Sequence, residues 1–394
     1  MSIKVDENKI EEILTRGVSE VIDLKHLREK LMSGKKLRVK LGIDPTSPNI
    51  HIGRAVTLLK MRDFQELGHE IIFVIGDFTG MVGDTSDKDS ERPMLSEEQI
   101  KKNMKNYVEQ TGKIINIKKA KIEHNSKWLK KLNFSEIGRL ANQFSLGEFI
   151  ARENIRKRLE EGRHVSLREL LYPLMQGYDS IATKVDVELG GTDQRFNLLA
   201  GRTLQEHYKQ EAQDILMTNL ILGTDSRKMS SSWGNTINIT DKPEDMFGKV
   251  MSISDDLIIT YFVHCTRIDM DKIRGYEKQL LLETTNPRDI KMELAFEIVK
   301  IYWGEKGAEN GKKYFVSVFQ KKDLPDEIQE YKLAGKNIVD VLVETNLATS
   351  RGDAKRLIEQ GGIEIDGEEI KSIDIIVNRN SIIQKGKRFF VKIV

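Results

Sequence analysis

The sequence predicts an α/β fold, in which a domain built on a parallel sheet is followed by a helical domain and a small α+β unit. Three observations predict it. A strand, a helix and a second strand follow one another between residues 37 and 76. Beyond Gly234 the pattern becomes helical. Residues 335–394 contain two short helical patterns and a hairpin, which indicates a separate compact unit.

The first strand–helix–strand unit surrounds a loop rich in turn residues. Residues 37–43 (LRVKLGI) alternate partly between apolar and polar side chains, as strands do. Residues 44–53 (DPTSPNIHIG) contain two prolines and a glycine and are predicted to be a loop. A helix then ends near Gly68, and the apolar run at 71–76 (IIFVIG) is typical of a buried parallel strand.

A lysine-rich segment of helical pattern, about 96–165, is interpreted as an insertion between two halves of this domain. The second half opens with Ser166 and Glu169, a capping-box pattern, and a helix in which Pro173 predicts a kink or a later start. VDVEL predicts a short strand that leads to GGTDQ and another helix. The apolar run DILMTNLIL predicts the last core strand.

Changes in composition and in the predicted secondary structure divide the chain into domains. Asn286 before Pro287 predicts a helix start in the second domain, and Asp366 before Gly367 predicts the turn of a hairpin in the last. The predicted divisions are a sheet-containing domain at 1–233, a helical domain at 234–325, a linker at 326–334 and a terminal unit at 335–394.

Composition narrows the class of protein. Lys and Arg total 63 and Asp and Glu total 61, so the net charge of +2 neither requires nor excludes an RNA partner. Cys265 is the only cysteine, which excludes an intrachain disulfide and a thiolate-rich metal site. The charged N-terminus has no secretory pattern, and no apolar run approaches about 18 residues. These features predict a cytoplasmic enzyme without a membrane span.

The loop DPTSPNIHIGR follows the first strand and opens a helix, the place where α/β folds bind nucleotides. The helix N-terminus offers unpaired N–H groups to phosphates, and Gly53 lets the backbone approach closely. His51 and Arg54 can donate hydrogen bonds to phosphate oxygens. On these residues alone, a plain loop with a surface histidine is about equally probable.

KMSSS, residues 228–232, comes directly after the last predicted core strand. A lysine followed by small hydroxyl residues in a loop suits a phosphate clamp, although a solvated polar turn is the commoner meaning of such a segment alone. A third feature is the helix segment YPLMQGYD, in which Tyr172, Gln176 and Asp179 share one face. That polar line must either be paired within the core or face a ligand.

Together these segments resemble a known family. HIGR and KMSSS, in this order, are similar to the paired signatures HIGH and KMSKS of class I aminoacyl-tRNA synthetases. GIDPT, GDFTGMVGD and YPLMQGYD with GGTDQ resemble the tyrosyl-tRNA synthetases, over essentially the whole chain. The resemblance implies a Rossmann-like catalytic domain, an α-helical anticodon-binding domain and an S4-type RNA-binding domain. It also implies a homodimer joined through the insertion, with one tRNA-Tyr lying across both subunits.

The resemblance also implies roles for individual residues. In the tyrosine pocket, Asp179 would accept a hydrogen bond from the phenol, Asp84, Tyr172 and Gln176 would hold the ammonium group, and Gln194 would lie near the carboxylate. ATP, with Mg²⁺, would contact a second group of residues: Asp44, His51, Gly53, Gly191, Asp193, Lys228 and Ser230. The catalytic residues would be Thr46, His51, Arg54 and Lys228. Lys88 and Arg92 would assist the transition state from a neighbouring loop. No residue is predicted to bind a metal directly.

The chemistry suits these groups. The tyrosine carboxylate attacks the α-phosphorus of ATP, and negative charge accumulates on phosphate oxygens. The protein therefore needs to supply positioning and positive charge, without a covalent intermediate or a strong base. A site built to pair a hydroxyl group rejects an analogue that lacks it, so Asp179 would discriminate against phenylalanine.

The sequence departs from the family pattern at four positions. Arg54 replaces the last histidine of HIGH, and Ser231 replaces the second lysine of KMSKS. Asp87 replaces a glycine expected near the phosphates, and Lys40 stands where the commoner branch has a tyrosine that contacts the phenol. These departures leave open a catalytically impaired, RNA-binding paralogue. A synthetase for a related aromatic amino acid is a third hypothesis, against which Asp179 argues.

The tail segment RGDAKRLIEQGGIEIDGEEI resembles the S4-type RNA-binding domain. Arg351 and Lys355 lie four residues apart on a predicted helix and therefore share a face, to which Arg356 adds charge. Such a patch suits phosphate contacts. A solvated charged face is the alternative, because acidic residues nearly balance the basic ones here.

Overall fold

The structure, a computed structural model, describes residues 3–84, 94–320, 328–386 and 389–394. Its strands are Val18–Ile22 (β1), Arg38–Ile43 (β2), Glu70–Ile75 (β3), Ala120–His124 (β4), Val187–Gly191 (β5), Asp214–Thr218 (β6), Gln329–Tyr331 (β7), Ile363–Ile365 (β8), Glu368–Glu369 (β9), Ile382–Lys385 (β10) and Phe389–Ile393 (β11). None of the helices in these ranges is both long and apolar enough to cross a membrane.

The helices of the sheet domain begin at the N-terminus and surround strands β1–β6. Their bounds are Glu7–Thr15 (α1), Leu24–Met32 (α2), Ile52–Glu66 (α3), Thr79–Val82 (α4), Glu97–Met104 (α5), Tyr107–Gly112 (α6), Ser126–Leu129 (α7), Phe134–Ala141 (α8), Leu146–Ile150 (α9), Glu153–Glu160 (α10), Leu167–Thr183 (α11) and Arg195–His207 (α12). Short 3₁₀ turns cover Ile117–Lys119 and Thr192–Gln194.

The remaining helices follow β6. Their bounds are Pro243–Met251 (α13), Ile258–Cys265 (α14), Met270–Leu281 (α15), Pro287–Phe315 (α16), Ile338–Glu344 (α17) and Arg351–Glu359 (α18), with a 3₁₀ turn at Asp255–Leu257 and a π-helical turn at Val316–Gln320. Asn286 caps α16 by accepting from the amide of Arg288, which confirms the predicted start. Gly304, with φ of +71°, interrupts the helix midway.

The large sheet has the strand order β1-β6-β5-β2-β3-β4, in which β1 alone is antiparallel to its neighbour. From β2 the chain builds β3 and β4 on one side and then returns to build β5 and β6 on the other. The strand order therefore reverses between β2 and β5, and ligands bind at the carboxyl ends of the strands at such a point. The predicted α/β class with a parallel sheet is confirmed.

The helical interpretation of residues 96–165 is wrong at one place. Residues 120–124 (AKIEH) form β4, which pairs in parallel with β3 through five residue pairs. Pairing with a strand distant in sequence, and not the local lysine-rich pattern, decides the conformation of this segment. Helices α7–α10 lie between β4 and α11, and Leu140 of α8 packs with Ile181 of α11 and Leu204 of α12.

The helical domain shares a core with the sheet. Phe247, Tyr261 and Ile298 belong to the same buried cluster as Leu58 and Phe73. The C-terminal unit has a separate core, centred on Val341, Ile358 and Ile383 among others. Its sheet has the order β7-β11-β10-β8-β9, and β7 lies inside the stretch predicted as the linker 326–334.

The structure confirms two local sequence predictions and corrects a third. The Ser166 side chain accepts from the backbone, while Glu169 reaches back to the Ser166 amide, so that a complete capping box starts α11. The predicted later start at Pro173 is wrong, because α11 already begins at Leu167 and continues through Pro173 to Thr183. In the C-terminal unit, Asp366 and Gly367 have φ of 53° and 85°, as the predicted β8–β9 hairpin turn requires.

Candidate active site

A cavity of about 390 Å³ lies at the carboxyl ends of the strands, where the strand order reverses. Its floor contains Gly42, Val74 and Gly190, on β2, β3 and β5. Gly42 leaves open space here, since a Cβ atom at this position would approach only the Val74 carbonyl oxygen, at 4.0 Å. At the end of β3, Gly76 is required for a steric reason, since a Cβ atom there would lie 1.9 Å from Asp44 Oδ1.

Asp179 forms the inner end of the cavity and is only 5% exposed. Its carboxylate accepts from Trp128 Nε1 at 2.7 Å and from Asn125 Nδ2 at 3.2 Å. Burial raises the pKa of Asp179 to about 7, against the opposing effects of Lys40 and these two donors. The carboxyl group is thus held in position but is incompletely compensated by the protein, as suits an acceptor for a ligand hydroxyl.

A second carboxylate, Asp44, stands where β2 ends. It accepts from Thr79 Oγ1 at 2.7 Å and from the Tyr172 hydroxyl at 2.8 Å. Burial raises the pKa of Asp44 to about 6, to which the nearby charge of Asp84 contributes. A cavity wall with two carboxylates attracts a cationic group such as an ammonium.

Two glutamines complete this side of the cavity. Gln194 Nε2 donates to Asp84 Oδ2 at 2.7 Å, which links the segment after β5 to the end of α4. Gln176 Nε2 lies 3.5 Å from Glu188 Oε1, behind the cavity wall. All five residues predicted to bind tyrosine therefore line one cavity: Asp84, Tyr172, Gln176, Asp179 and Gln194.

The opposite part of the cavity is built on the N-terminus of α3. His51 is the N-cap residue, and its strand-like backbone pairs with Asn238. Burial, and then the charges of Arg54 and Lys228, lower the pKa of His51 to about 3, so that its ring is neutral near pH 7. Gly53 allows close packing, because a Cβ atom there would lie 3.0 Å from His51 Nδ1.

Arg54 points back over the loop that precedes α3. Its guanidinium donates to Thr46 Oγ1 at 3.0 Å, to the Asp44 carbonyl at 3.2 Å and to the Tyr107 hydroxyl at 3.4 Å. These contacts fix a permanent positive charge beside the Thr46 hydroxyl.

The KMSSS segment covers the same part of the cavity. Lys228 Nζ lies 3.2 Å from Asp193 Oδ2, and the hydroxyl of Ser231 lies 3.4 Å from that of Ser47. The amide of Ser230 donates to Asn235 Oδ1 at 2.9 Å, which orders the turn after Lys228. The residues predicted to bind ATP and to act in catalysis line this cavity: Asp44, Thr46, His51, Gly53, Arg54, Gly191, Asp193, Lys228 and Ser230.

Three residues of the site were not predicted: Thr79, Asn125 and Trp128. Asn125 follows β4 directly, and Trp128 lies one turn later on α7. Because residues 120–124 are a strand parallel to β3, the residues that follow it lie at the carboxyl ends of the strands, where the cavity is. The predicted loop residues Lys88 and Arg92, and Asp87 beside them, lie outside the described residues.

The predicted RNA-binding residues belong to the C-terminal unit, on α18. Arg351 forms an ion pair with Asp340, and Arg356 Nη2 lies 2.6 Å from Asp353. Lys355 is exposed on the same helix. In the described ranges, no group of three or more His, Cys, Asp or Glu side chains is placed to hold a metal ion.

Comparison with known proteins relates this geometry to a family. Residues 32–320 match the family described as tRNA synthetases class I (W and Y), and residues 319–393 match the tyrosine–tRNA ligase SYY-like C-terminal domain. A tyrosine–tRNA ligase of Thermotoga maritima is 45% identical over 385 residues, which are 97% of this chain and 96% of the relative. Tyrosine–tRNA ligase 2 of Clostridium acetobutylicum is 45% identical over 389 residues, 97% of each chain.

Solved structures share the fold at lower identity. A mitochondrial tyrosyl-tRNA synthetase of Aspergillus nidulans matches with a TM-score of 0.65 and 21% identity, covering 80% of this chain and 95% of that one. The tyrosyl-tRNA synthetase of Archaeoglobus fulgidus, solved with L-tyrosine, matches with a TM-score of 0.61 and 22% identity. That match covers 78% of this chain and 98% of the other.

Proposed function

This chain belongs to the tyrosine–tRNA ligases among the class I tRNA synthetases, and we propose that the two parts of its cavity divide the reaction between them. The enzyme activates tyrosine with ATP and charges it onto tRNA. The part around Asp179 and Asp44 would hold the amino acid. The part around His51, Arg54 and Lys228 would hold the phosphates of ATP.

Support for the tyrosine part comes from its polarity. Asp179 would accept the phenol hydroxyl, because it is a buried acceptor held by Trp128 and Asn125 at the closed end of the cavity. Asp44 and Asp84 place negative charge at the other end of the tyrosine part, together with the Tyr172 hydroxyl and the Gln176 amide. That arrangement suits the α-ammonium group, while Gln194 would lie near the carboxylate.

Support for the phosphate part comes from its donors. The α3 N-terminus at His51 and Gly53 offers backbone amides, and Arg54 fixes a cation beside Thr46. Lys228 on the KMSSS segment would pair with the leaving pyrophosphate, and Gly191 and Asp193 would contact the ribose. The ATP would arrive with Mg²⁺ bound to its phosphates, the usual arrangement for this ion.

The reaction then needs no covalent enzyme intermediate. A tyrosine carboxylate oxygen attacks the α-phosphorus, the bond to the bridging oxygen of pyrophosphate breaks, and tyrosyl-adenylate remains. A terminal hydroxyl of the tRNA displaces AMP in the second step. The enzyme would accelerate the first step by alignment and by positive charge around the phosphates.

We also propose a cytoplasmic homodimer that binds tRNA-Tyr through the helical and C-terminal units. Large apolar side chains are exposed on the helices between β4 and β5, including Phe134 at 91%, Leu167 at 77% and Leu146 at 66%. Exposure of this kind at neighbouring elements marks a protein interface. Gel filtration at micromolar concentration should show a species of about twice 45.2 kDa, and the variant Leu167→Glu should shift it toward the single chain.

The observation that carries the division of roles is the pairing of a buried, donor-held Asp179 with a cation-rich helix N-terminus in one cavity. The test is tyrosine-dependent exchange of pyrophosphate into ATP, with phenylalanine in parallel. Exchange with tyrosine alone supports the assignment. A folded protein that binds tRNA but exchanges nothing would instead support the impaired RNA-binding paralogue, and exchange with phenylalanine would contradict the role of Asp179.

A further inference from the structure

A buried ion pair lies directly behind the tyrosine part of the cavity. Lys40 on β2 and Glu188 on β5 are register partners in adjacent parallel strands, so their side chains leave the sheet on the same face. Lys40 Nζ is 2.9 Å from Glu188 Oε1, and the two side chains are 1% and 2% exposed. Neither residue lines the cavity itself.

The pair is embedded in a hydrogen-bond network. Lys40 Nζ donates to Ser180 Oγ at 2.7 Å, and Ser180 Oγ donates to Glu188 Oε2 at 3.0 Å. Gln213 Nε2 also donates to Glu188 Oε2, while Gln176 Nε2 lies 3.5 Å from Oε1. A buried ion pair is often no more stabilising than an apolar pair of the same volume, so charges at this position call for another explanation.

The position of the pair suggests that explanation. Lys40 and Glu188 each precede by two residues a floor glycine of the cavity, Gly42 and Gly190, on the same face of the sheet. Ser180, which both charges contact, adjoins Asp179 in α11. The ion pair therefore stands one residue layer beyond the closed end of the cavity, next to the carboxylate proposed to recognise the phenol.

Asp179 is faced by charged or titratable groups from several elements. Lys40 approaches from β2, Glu188 from β5 and Tyr172 from its own helix, while Asn125 and Trp128 donate from the segment at α7. His124, at the end of β4, lies 3.3 Å from Asp77, one step further away. Of the effects that oppose burial and lower the pKa of Asp179, the charge of Lys40 is the largest, and Glu188 acts in the opposite direction.

We propose that Lys40 and Glu188 are specificity-determining positioning residues: the charge of Lys40, held in place by Glu188 and Ser180, keeps Asp179 in the carboxylate form that accepts a phenol hydroxyl. The inference rests on the proposed role of Asp179. Neither residue touches substrate, and both act through the Asp179 carboxylate.

The consequence is discrimination between tyrosine and phenylalanine. An ionised carboxylate left without its hydroxyl partner in a buried site costs more than a neutral carboxyl group does. A protein that holds Asp179 ionised therefore penalises phenylalanine more strongly. Removal of the lysine charge should weaken binding of tyrosine and reduce this penalty together.

The experiment compares Lys40→Gln with Glu188→Gln in pyrophosphate exchange between pH 6 and 9. In the unaltered enzyme, the KM for tyrosine should rise as pH falls and Asp179 binds a proton. Without the Lys40 charge, the pH at which KM rises should increase by about one unit. At pH values below that midpoint, KM should then be roughly tenfold higher than in the unaltered enzyme. Without the Glu188 charge the midpoint moves to lower pH, while kcat changes little in either variant.

Displacement of the pH midpoint in opposite directions in the two variants would support the proposal. The ratio of kcat/KM for tyrosine to kcat/KM for phenylalanine at pH 7 should fall in Lys40→Gln only. A purely structural role would raise the KM of both variants at every pH without displacing the rise, and that result, or displacement in one shared direction, would overturn the proposal. If Lys40→Gln fails to fold, Glu188→Gln still decides, because it retains Lys40 and an accepting amide oxygen at position 188. If the pH midpoint of the KM rise in Glu188→Gln is unchanged or higher than in the unaltered enzyme, the proposal is overturned.

Two further variants separate this inference from the function on which it rests. Asp179→Asn should abolish the acidic rise in KM altogether, and a rise that persists would contradict the role of Asp179 instead. Lys60→Gln is the matched control. Lys60 is 2% exposed but contacts the carbonyls of Ile13 and Arg16, away from the cavity, so its replacement should leave the midpoint unchanged.

Discussion

The two parts of the active-site cavity differ in how they hold charge. In the tyrosine part, Asp179 is buried and Asp44 is half-buried, both accept hydrogen bonds from neighbouring side chains, and their pKa values are raised to about 7 and about 6. In the phosphate part, Lys228 is 28% exposed and forms an ion pair with Asp193. The carboxylates of the tyrosine part are thus held by several hydrogen bonds, whereas the lysine of the phosphate part is partly exposed.

This difference matches what each substrate requires. The tyrosine part must distinguish a single hydroxyl group from a hydrogen atom. Such discrimination needs a buried polar group that costs free energy when it has no hydrogen-bond partner. Phosphate groups carry their charge with them and change it during the reaction, so they need cations that can follow the leaving group. Binding energy would therefore depend on the first part, and the rate of the chemical step on the second.

The largest expected effect comes from Asp179→Asn. The amide cannot accept from both Trp128 and Asn125 and still accept the phenol, so kcat/KM for tyrosine should fall on the order of 10³-fold, or about 3–5 kcal/mol. Steady-state exchange kinetics with tyrosine and phenylalanine measure this loss, which should appear mainly in KM.

The control for that variant is Asp186→Asn. Asp186 accepts from the Arg38 amide at the amino ends of β2 and β5, outside the cavity, and its replacement should leave the kinetics unchanged. An Asp179→Asn enzyme that kept its preference for tyrosine would remove the basis for separating the two parts of the cavity.

Lys228→Ala should give the complementary result. Loss of the cation proposed to neutralise the leaving pyrophosphate should lower kcat for activation by about 10²-fold, while the KM for tyrosine stays within about twofold. Lys249→Ala is a close control, because Lys249 is also 28% exposed and also paired with an aspartate, Asp241, but lies in the helical domain. A rise in the KM for tyrosine as large as the loss in kcat would show that Lys228 also contributes to tyrosine binding, which contradicts the division into two parts.

The sequence predicted the two parts unequally. The loops at 44–54 and 228–232 carry local patterns of proline, glycine, lysine and serine, which act where they stand in the chain, and the structure places both at the cavity. The polar line of α11 was equally visible, because the helical period fixes which residues share a face.

What remained hidden depends on contacts between distant segments. β4 (AKIEH) alternates apolar and charged side chains over only four residues within a lysine-rich segment, too short a pattern to identify a strand, and its pairing with β3 decides its conformation. Its misassignment concealed Asn125 and Trp128, the donors that hold Asp179. The ion pair of Lys40 and Glu188 likewise becomes visible only when the register of β2 and β5 is known.

Arg54→His tests the phosphate part at an unusual position. The shorter imidazole cannot reach both Thr46 Oγ1 and the Asp44 carbonyl, and at pH 8 it would carry little charge. We expect kcat to fall about tenfold with a raised KM for ATP, as measured by exchange at varied ATP concentration. Arg54→Lys should retain part of the rate because it keeps the charge. Equal or faster activation by Arg54→His would show that Arg54 does not assist the phosphates.

The smallest expected effect on activation belongs to Arg356→Ala in the C-terminal unit. Arg356 is 66% exposed and its partner Asp353 is close by, so the melting temperature should change by no more than about 2 °C. Tyrosine activation should be unchanged, whereas tRNA affinity should fall several-fold and the salt dependence of binding should decrease by about one phosphate contact.

Filter binding at several salt concentrations measures this, with Lys371→Ala as an exposed control paired to Glu369. An equal loss in both variants would indicate a general effect of surface charge, and a loss confined to Arg356 would extend the contrast from two parts of one cavity to two separate units. One unit would then recognise a small molecule by burial, and the other a polyanion by exposed charge.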